Sequence, residues 1–409
     1  MSGSCRSCGA SLAQSVVDLG TQPLSNAYIA PSRLAAMEPT YPLHVFVCTV
    51  CWLVQIDAVA EREEIFGDDY AYFSSYSTTW LEHAKAYAER MIAERELHAR
   101  SLVVELASND GYLLRWFAER GMRVHGVEPT ASTARAALDL GIPTTVEFFG
   151  VDLARTLVAA HGRADLVVAN NVLAHVPDIN DFVGGIAELL APAGVATIEF
   201  PHLLELLERI EYDTIYHEHF SYLSLISASA IFERHGLRVV DVDRLPTHGG
   251  SLRLHVTHTG SHPVGERVTS LFERERAFGL NGVEVYRGFA ERVRASKFAL
   301  LEYLIAERRK SRRVVGYGAA AKGNTLFNYC GIRDDLVEFV VDRNPHKVGL
   351  YLPGSHLPIR ALEAIDRERP DVIVILPWNL AAEVTEQMAY VREWGARFVI
   401  PIPEPREIP

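Results

Sequence analysis

The chain has 409 residues, 48% of them hydrophobic and 22% charged, a normal balance for a folded protein and too long a chain for one ordinary core. Its formal net charge is −12 with no long basic run, which argues against a nucleic-acid partner, because such a surface repels phosphates. A small anionic ligand in a local pocket remains compatible with that charge.

The N-terminus, MSGSCRSCGA, has no charged segment leading into an apolar one, so no secretory signal is expected. No apolar run approaches the roughly 18 residues of a membrane span, and the longest, DVIVILPW at Asp371–Trp378, has the length of a buried strand. A cytoplasmic chain without a membrane partner is expected. In that reducing compartment cysteines more often hold metals than form disulfides. Four of the five cysteines form two pairs, Cys5-x-x-Cys8 and Cys48-x-x-Cys51. A C-x2-C knuckle converges two thiolates on one point, and two knuckles complete a tetrahedral Zn2+ site. The 39 residues between them make a long loop, which metal closure tolerates. Gly9 suits a tight turn after the first knuckle. Four protein sulfurs leave no open position, so the zinc reads as structural. Two disulfides or a redox pair are the other readings. Cys330 stands apart and reads as a packed core thiol. Residues 1–75 are the expected zinc-binding module.

A helical pattern covers Thr79 to His98. Then come a strand (Leu102–Leu106), a turn (Ala107-Ser108-Asn109-Asp110-Gly111), a helix (Tyr112–Arg120), a strand (Arg123–Val127) and a helix (Thr130–Leu140). The turn lies beyond the carboxyl end of the first strand, where an α/β fold binds ligands. Glu128 ends the second strand about 20 residues on, where an acid accepts both ribose hydroxyls. A further strand (ADLVVANNVLAHVPD), a helix through Leu190 and the strand GVATIEFP follow. A dinucleotide wants G-x-G-x-x-G against its pyrophosphate, and those glycines are mostly missing. S-adenosylmethionine has no phosphate to cradle and wants acids at the ends of the first two strands, here Glu105 and Glu128. The candidate cofactor-binding residues are Glu105, Ala107, Asn109, Gly111, Glu128, Pro129, Phe148, Asn170 and Asn171. Residues 76–260 are the expected Rossmann-like domain.

In IYHEHFSYLS (Ile215–Ser224), two histidines flank Glu218. If the stretch is extended, His217 and His219 point the same way, and if it turns, Glu218 and His219 share a pocket. A second metal site and a buried hydrogen-bond network are further readings. THGGSLR (Thr247–Arg253) offers His248 and Gly249 where backbone approaches a ligand, or a plain turn. Residues 261–310 read as a helical connector with a solvated charged face.

From Ser311 a second α/β unit, 311–409, opens with a strand (Val314–Tyr317), a small-residue turn and a helix. Gly316-x-Gly318-x-x-Ala321 with Asp342 downstream matches the dinucleotide fingerprint, so an NAD-dependent sugar oxidoreductase is the alternative function. Lys322 and Asn324 at the helix start would suit a diphosphate. Trp378 and Asn379 follow the strand Val372–Ile375, where an aromatic stacks on a base or sugar, or packs in a core. A zinc-clipped module that binds a nucleotide sugar without turnover is a third reading.

The cysteine clip, ELASNDGYLL, GVEPTAS, NNVLAHVPD, YHEHFSYLS and GYGAAAKGNTLFNYCGI occur in that order over essentially the whole chain. The combination resembles the zinc-containing, S-adenosylmethionine-dependent sugar C-methyltransferases, which methylate a ring carbon of nucleotide-linked 4-keto-6-deoxyhexoses. Ala107 and Asn109 stand where methyltransferases in general have glycines, as is typical of this subgroup. The resemblance implies an α/β fold of zinc module, Rossmann-like methyltransferase domain and Rossmann-like C-terminal domain. It implies a dTDP-linked small-molecule substrate, methylated at C3 or, alternatively, C5. Its motif maps onto Tyr216, Glu218, His219 and Phe220, with His219 as base, Glu218 and Tyr216 assisting, and His217 at a variable position. His175 would meet the keto oxygen or enolate, and a tyrosine after the zinc module, Tyr70 with Tyr72 and Tyr76 as neighbours, would close over the site. Gly318, Lys322, Asn324, Asp342, Trp378, Asn379, His248 and Gly249 are the candidate substrate-binding residues. The domain plan is compatible with a monomer.

Overall fold

The computed structural model describes residues 3–57, 74–76 and 78–408. Strands β1 (Gln14–Gln22), β2 (Tyr41–Val47) and β3 (Val54–Ile56) run antiparallel between and after the two cysteine knuckles. Along β2 the buried residues Leu43, Val45 and Val47 alternate with more exposed ones, the period-2 pattern of a strand with one face in a core.

The central unit begins with α1 (Thr78–Glu94) and β4 (Leu102–Leu106). All five residues of β4 are buried, as a strand covered on both faces requires. It continues through α2 (Leu114–Ala118), β5 (Arg123–Val127), α3 (Ala131–Asp139), β6 (Thr144–Thr145), α4 (Val151–His161), β7 (Ala164–Asn170), α5 (Ile179–Leu189) and β8 (Leu190–Pro201). Helix α1 stops short of the expected His98. Helix α2 starts later than Tyr112, because Gly111 has φ 76° and the turn runs on. Strand β8 starts four residues before GVATIEFP. After α6 (Leu203–Arg209), the two-residue strand β9 (Ser221–Tyr222) leaves this unit and pairs antiparallel with β3, making a four-stranded sheet β1-β2-β3-β9. Helix α7 (Leu225–Arg234) and strands β10 (Leu237–Leu245) and β11 (Ser251–His258) complete the central sheet, ordered β10-β11-β8-β7-β4-β5-β6. Its first strand lies between β5 and β7, so the crevice of the fold opens beside the carboxyl end of β4.

Helices α8 (Glu266–Phe278), α9 (Glu284–Arg287) and α10 (Phe289–Arg309) lead to the last unit. It consists of β12 (Val314–Tyr317), α11 (Ala321–Cys330), β13 (Val340–Val341), β14 (Ile359–Arg360), α12 (Glu363–Glu368), β15 (Val372–Ile375), α13 (Ala381–Gln387), β16 (Arg397–Ile400) and β17 (Arg406–Ile408). The order β14-β13-β12-β15-β16-β17 again puts the first strand at the reversal. No described helix is long and apolar enough to cross a membrane. One core joins Cys5, Cys48 and Leu53 to the central sheet through Val104, Ala196 and Phe232. Another joins Val17, Leu43 and Val45 to Leu203, Val314, Leu326 and Val340. The N-terminal module is therefore wedged against both larger units.

The connector's charges are not all solvated, contrary to the sequence reading. Glu275 is completely buried, and Glu307 is 2% exposed. Glu275 faces His202 Nε2 at 2.8 Å and accepts the N–H groups of Leu225 (2.7 Å) and Ile226 (2.9 Å), placing a carboxylate at the positive end of α7. Glu307 accepts from Lys310 at 2.7 Å and Arg312 at 2.6 Å, and also from Arg397. Replacing Glu275 by Ala strands three buried partners, so Glu275→Ala should destabilise the fold by about 3–5 kcal/mol, against about 0.5 kcal/mol or less for the exposed Glu302→Ala. Urea denaturation of the two variants checks this.

Candidate active site and metal centre

The sulfurs of Cys5, Cys8, Cys48 and Cys51 all lie within 4.8 Å of one another. Cys5 Sγ is 3.5 Å from Cys51 Sγ, and Cys8 Sγ is 3.4 Å from Cys48 Sγ. All five cysteines are free, so the disulfide reading falls. A tetrahedron of sulfurs about 2.3 Å from Zn2+ has edges of about 3.8 Å, so the cluster fits the ion. Thiolates need N–H donors, and they are present: Gln55 Nε2 donates to Cys5 Sγ (3.2 Å) and the Val50 N–H to Cys48 Sγ (3.4 Å). The first knuckle is also docked. Arg234 donates to the Ser7 carbonyl at 2.6 Å, and Asn180 donates to the Arg6 and Ser7 carbonyls at 3.0 Å. The Arg6 guanidinium lies 5.2 Å from the ring centre of Phe220. Cys330 is buried 3.7 Å from Tyr212 Oη, a packed thiol as read.

At the carboxyl end of β4 the turn adopts positive φ at Ala107 (55°), Asn109 (50°) and Gly111 (76°). The left-handed backbone that glycines normally supply is thus kept with two other residues, and its strain is held by surrounding bonds. Glu128 accepts the Asn109 N–H through Oε2 and the Thr130 N–H through Oε1, both at 2.9 Å. Asn109 Oδ1 and Asp110 Oδ2 accept the N–H groups of Ser74 (2.9 Å) and Ser75 (3.1 Å). Glu105 is buried at the strand end, and burial pushes its carboxyl well above the usual range. Asn171 also has positive φ (53°), and its N–H donates to the Glu199 carbonyl at 2.8 Å. The side-chain carbonyls of Asn170 and Asn171 are buried with no partner among the described residues. Phe148 is half-buried before α4, and Pro129 follows Glu128 directly.

The stretch Ile215–Phe220 turns rather than extends, with the His219 N–H donating to the Tyr216 carbonyl at 2.9 Å. That parts the two histidines. His217 faces away, Nε2 3.2 Å from the Pro42 carbonyl, so it packs against β2 and the His-Glu-His metal reading falls. His219 Nδ1 lies 3.0 Å from the Thr214 carbonyl, so Nδ1 carries the proton and Nε2 presents its lone pair, 2.9 Å from Tyr216 Oη. His175 Nδ1 lies 2.8 Å from the Glu218 carbonyl and carries its proton for the same reason. The His175 and His219 rings meet edge-on at 4.6 Å. Burial drives the His175 pKa down to about 4 and that of His219 well below the usual value, so both are neutral. In this tautomer His175 Nε2 is an acceptor. Burial raises the Glu218 carboxyl to about 7. Its Oε1 is 3.1 Å from Asn26 Nδ2, and its buried Oε2 has no partner among the described residues. A small pocket lined by Ala174, Phe200, Pro201 and Thr214 borders His219.

In the C-terminal unit, Lys322 Nζ donates to Asn379 Oδ1 at 2.8 Å and lies 4.3 Å from the ring centre of Trp378. Trp378 is not a plain core residue, since its Nε1 donates to Asp213 Oδ2 at 2.7 Å. Burial, and then the neighbouring Asp213, pushes Glu211 up to about 8, and burial pushes Asp213 to about 6. Lys322 is enclosed by these acids, which weakens its expected role on a diphosphate. Asn324 is buried and donates to the Ser25 carbonyl (3.3 Å). Gly249 (φ 95°) passes so close that a Cβ would sit 2.6 Å from Trp378 and 2.7 Å from Glu211. His248, before it, stands edge-on to Trp80 at 5.8 Å. Gly318 has φ 88°, and a Cβ there would collide with Pro377 at 2.5 Å. Asp342 accepts the N–H groups of Ala319 (2.7 Å) and Asn344 (2.8 Å), the same clamp that Glu128 forms in the central unit.

Family models match three segments: a zinc binding domain over residues 5–66, a methyltransferase domain over 80–242 and a C-methyltransferase C-terminal domain over 246–403. The C-methyltransferase NovU of Streptomyces niveus is 38% identical over 408 residues, covering 99% of this chain and 96% of that one. This chain belongs to the C-methyltransferase family. Among solved structures, this C-methyltransferase is similar to the magnesium protoporphyrin IX methyltransferase of Synechocystis PCC 6803 (14% identity, TM-score 0.37, 50% of this chain and 100% of that one). It is also similar to CcbJ of Streptomyces caelestis (14%, 0.34, 43% and 89%). The enzyme uses S-adenosylmethionine and carries a zinc-binding domain. The turn at 107–111, the acids at both strand ends and the orphan asparagine carbonyls fit that cofactor, whose cationic end needs acceptors. The oxidoreductase alternative rested on the 316–321 turn, which here lies inside the C-methyltransferase C-terminal domain.

Of the expected site residues, Tyr70 and its neighbour Tyr72 lie outside the described residues, as does the side chain of Tyr76. Sequence reading missed Glu199, whose buried carboxylate takes Arg253 Nη2 (2.6 Å) and Nε (3.1 Å) beside His83 (3.5 Å). A charge inside the apolar run GVATIEFP was the available signal. It also missed Glu211, Asp213, Asn26 and Tyr28, which no motif marks. Because β9 hangs on β3, stripping zinc should lower the thermal midpoint and remove amide-exchange protection at 54–56 and 220–222 while sparing β12–β16. Hydrogen-exchange mass spectrometry of chelated and zinc-loaded enzyme checks it.

Proposed function

We propose that the enzyme methylates the ring carbon next to the ketone of a dTDP-linked 4-keto-6-deoxysugar, at C3, in deoxysugar biosynthesis of the natural-product kind. The observation that supports this reading most is the meeting of His219, Tyr216, His175 and Glu218 in one buried centre with their ring protons already assigned. Carbon beside a ketone becomes nucleophilic once a proton leaves it. The base needs a lone pair, and the ketone oxygen needs a donor as charge builds on it.

His219 supplies the base through Nε2, whose lone pair the Tyr216 hydroxyl holds until that hydroxyl turns aside for the substrate. Glu218, its proton held near neutrality by burial, turns its unpartnered Oε2 to the enolate oxygen as the donor. His175 anchors the backbone of Glu218. Glu128 takes the ribose hydroxyls of S-adenosylmethionine, with the Asn170 and Asn171 carbonyls receiving its ammonium group. When bound, that cofactor supplies a methyl on sulfonium sulfur for in-line displacement. Trp378, Asn379 and Gly249 form the sugar side of the cleft, and Gly318 with the start of α11 receives the nucleotide. Four free thiols around zinc support a reducing, cytoplasmic setting.

Incubation with dTDP-4-keto-6-deoxyglucose in deuterated buffer, with and without S-adenosylmethionine, tests the reading by mass spectrometry and NMR. One methyl should be gained at C3, and solvent deuterium should enter the same carbon without the cofactor. Label and methyl at C5 would move the assignment to the other side of the ketone. His219→Ala should lower both exchange and methylation by about 10²–10⁴-fold. Methyl transfer undiminished in that variant would sink the proposed base. Glu128→Ala should weaken S-adenosylmethionine binding about 10–100-fold in calorimetry, from the loss of charged hydrogen bonds.

A further inference from the structure

Asn26 lies in the loop after β1, in the zinc module, yet it is the side chain that meets the Glu218 carboxyl (3.1 Å). Its other amide atom faces Tyr28 Oη at 3.2 Å, and Tyr28 Oη is 2.6 Å from the Ala319 carbonyl. That carbonyl can only accept, so the single Tyr28 proton is directed to it at the shorter distance. The Tyr28 oxygen then offers lone pairs to Asn26. An amide whose NH2 group faces Tyr28 turns its own carbonyl to Glu218 and pairs with a carboxylic acid. The opposite orientation pairs the NH2 group with a carboxylate, and Oδ1 then shares the Tyr28 proton with the Ala319 carbonyl. One side chain thus matches both forms of the acid.

We propose that Asn26 is the positioning residue for Glu218, turning its amide so that one carboxyl rotamer serves both protonation states through the reaction. The proposal rests on the reading of Glu218 as a working acid, and its test needs no substrate. The other titratable groups around this pair are Tyr28, Lys347 and Asp342 on the C-terminal side, and Tyr222, His175 and His219 on the central side. Substitution at Asn26 leaves all of them in place. Asn26 is exposed, so its variants keep the core.

The carboxyl carbon of Glu218 is followed by 13C NMR in glutamate-labelled enzyme, its signal assigned through Glu218→Gln. The parent should titrate near 7. Asn26→Asp, which faces the acid with a second acid, should raise the midpoint by about one pH unit or more. Asn26→Ala should broaden or split the signal as the rotamer is freed. An Asn26→Asp midpoint within about 0.2 units of the parent, or an unchanged signal in Asn26→Ala, overturns the proposal. Methylation by Glu218→Gln, measured in parallel, tests the acid itself: full activity there sinks the reading of Glu218, whatever the titration shows.

Discussion

The structure turns on one short pairing, β3 with β9, in which Val54 lies opposite Tyr222 and Gln55 opposite Ser221. Strand β3 begins three residues after Cys51, and β9 begins two residues after His219. A two-residue strand has little stability of its own. It is held because the partner strand is fixed by four sulfurs, because the Ile56 N–H donates to the Phe220 carbonyl at 3.2 Å, and because Leu203 donates to the Leu223 carbonyl at 2.9 Å. Gln55 is the hinge of this arrangement. Its side chain donates to Cys5 Sγ and accepts from the Arg6 N–H at 2.9 Å, while its backbone sits opposite Ser221. The metal centre therefore sets the position of the acid–base segment without touching it.

Placing that segment between three units also sets its electrostatics. An imidazole taken out of water with only a carbonyl to meet it stays neutral, and a carboxyl with only an amide to meet it keeps its proton to higher pH. His219 and Glu218 are moved in opposite directions by the same burial, so a neutral imidazole adjoins a carboxyl that keeps its proton to higher pH than usual. Full exposure of the turn to water would return both groups toward ordinary values and remove the distinction.

Local chemistry was legible in the sequence, and long-range partnership was not. The knuckle spacing carried the metal site because two residues between cysteines fix the geometry within one turn. The strand β4 was readable from its unbroken apolar run, and the acid of Glu128 from its distance along the chain. The turn of YHEHF was left open between two geometries, since alternation of polar residues does not say whether a backbone pairs or folds back. Lys322 read as a phosphate ligand because it begins a helix. Its surroundings, Asp213 and Trp378, are set by segments more than a hundred and more than fifty residues away. Glu275 read as solvated for the same reason, its partners being contributed by α6 and α7.

The two Rossmann-like units repeat one device and use it differently. In each, the acid ending the second strand accepts an N–H from the turn after the first strand and another from its own following residues. A carboxylate has about four lone-pair sites, so each clamp keeps capacity for a ribose. What separates the units is their surroundings. Around Glu128 the turn has left-handed residues and buried asparagine carbonyls, acceptors for a cationic ligand. Around Asp342 stand Lys347, which donates to the Ala319 carbonyl at 2.9 Å, and the N-terminus of α11, both suited to an anionic one. The central crevice thus gathers acceptors and the C-terminal crevice donors.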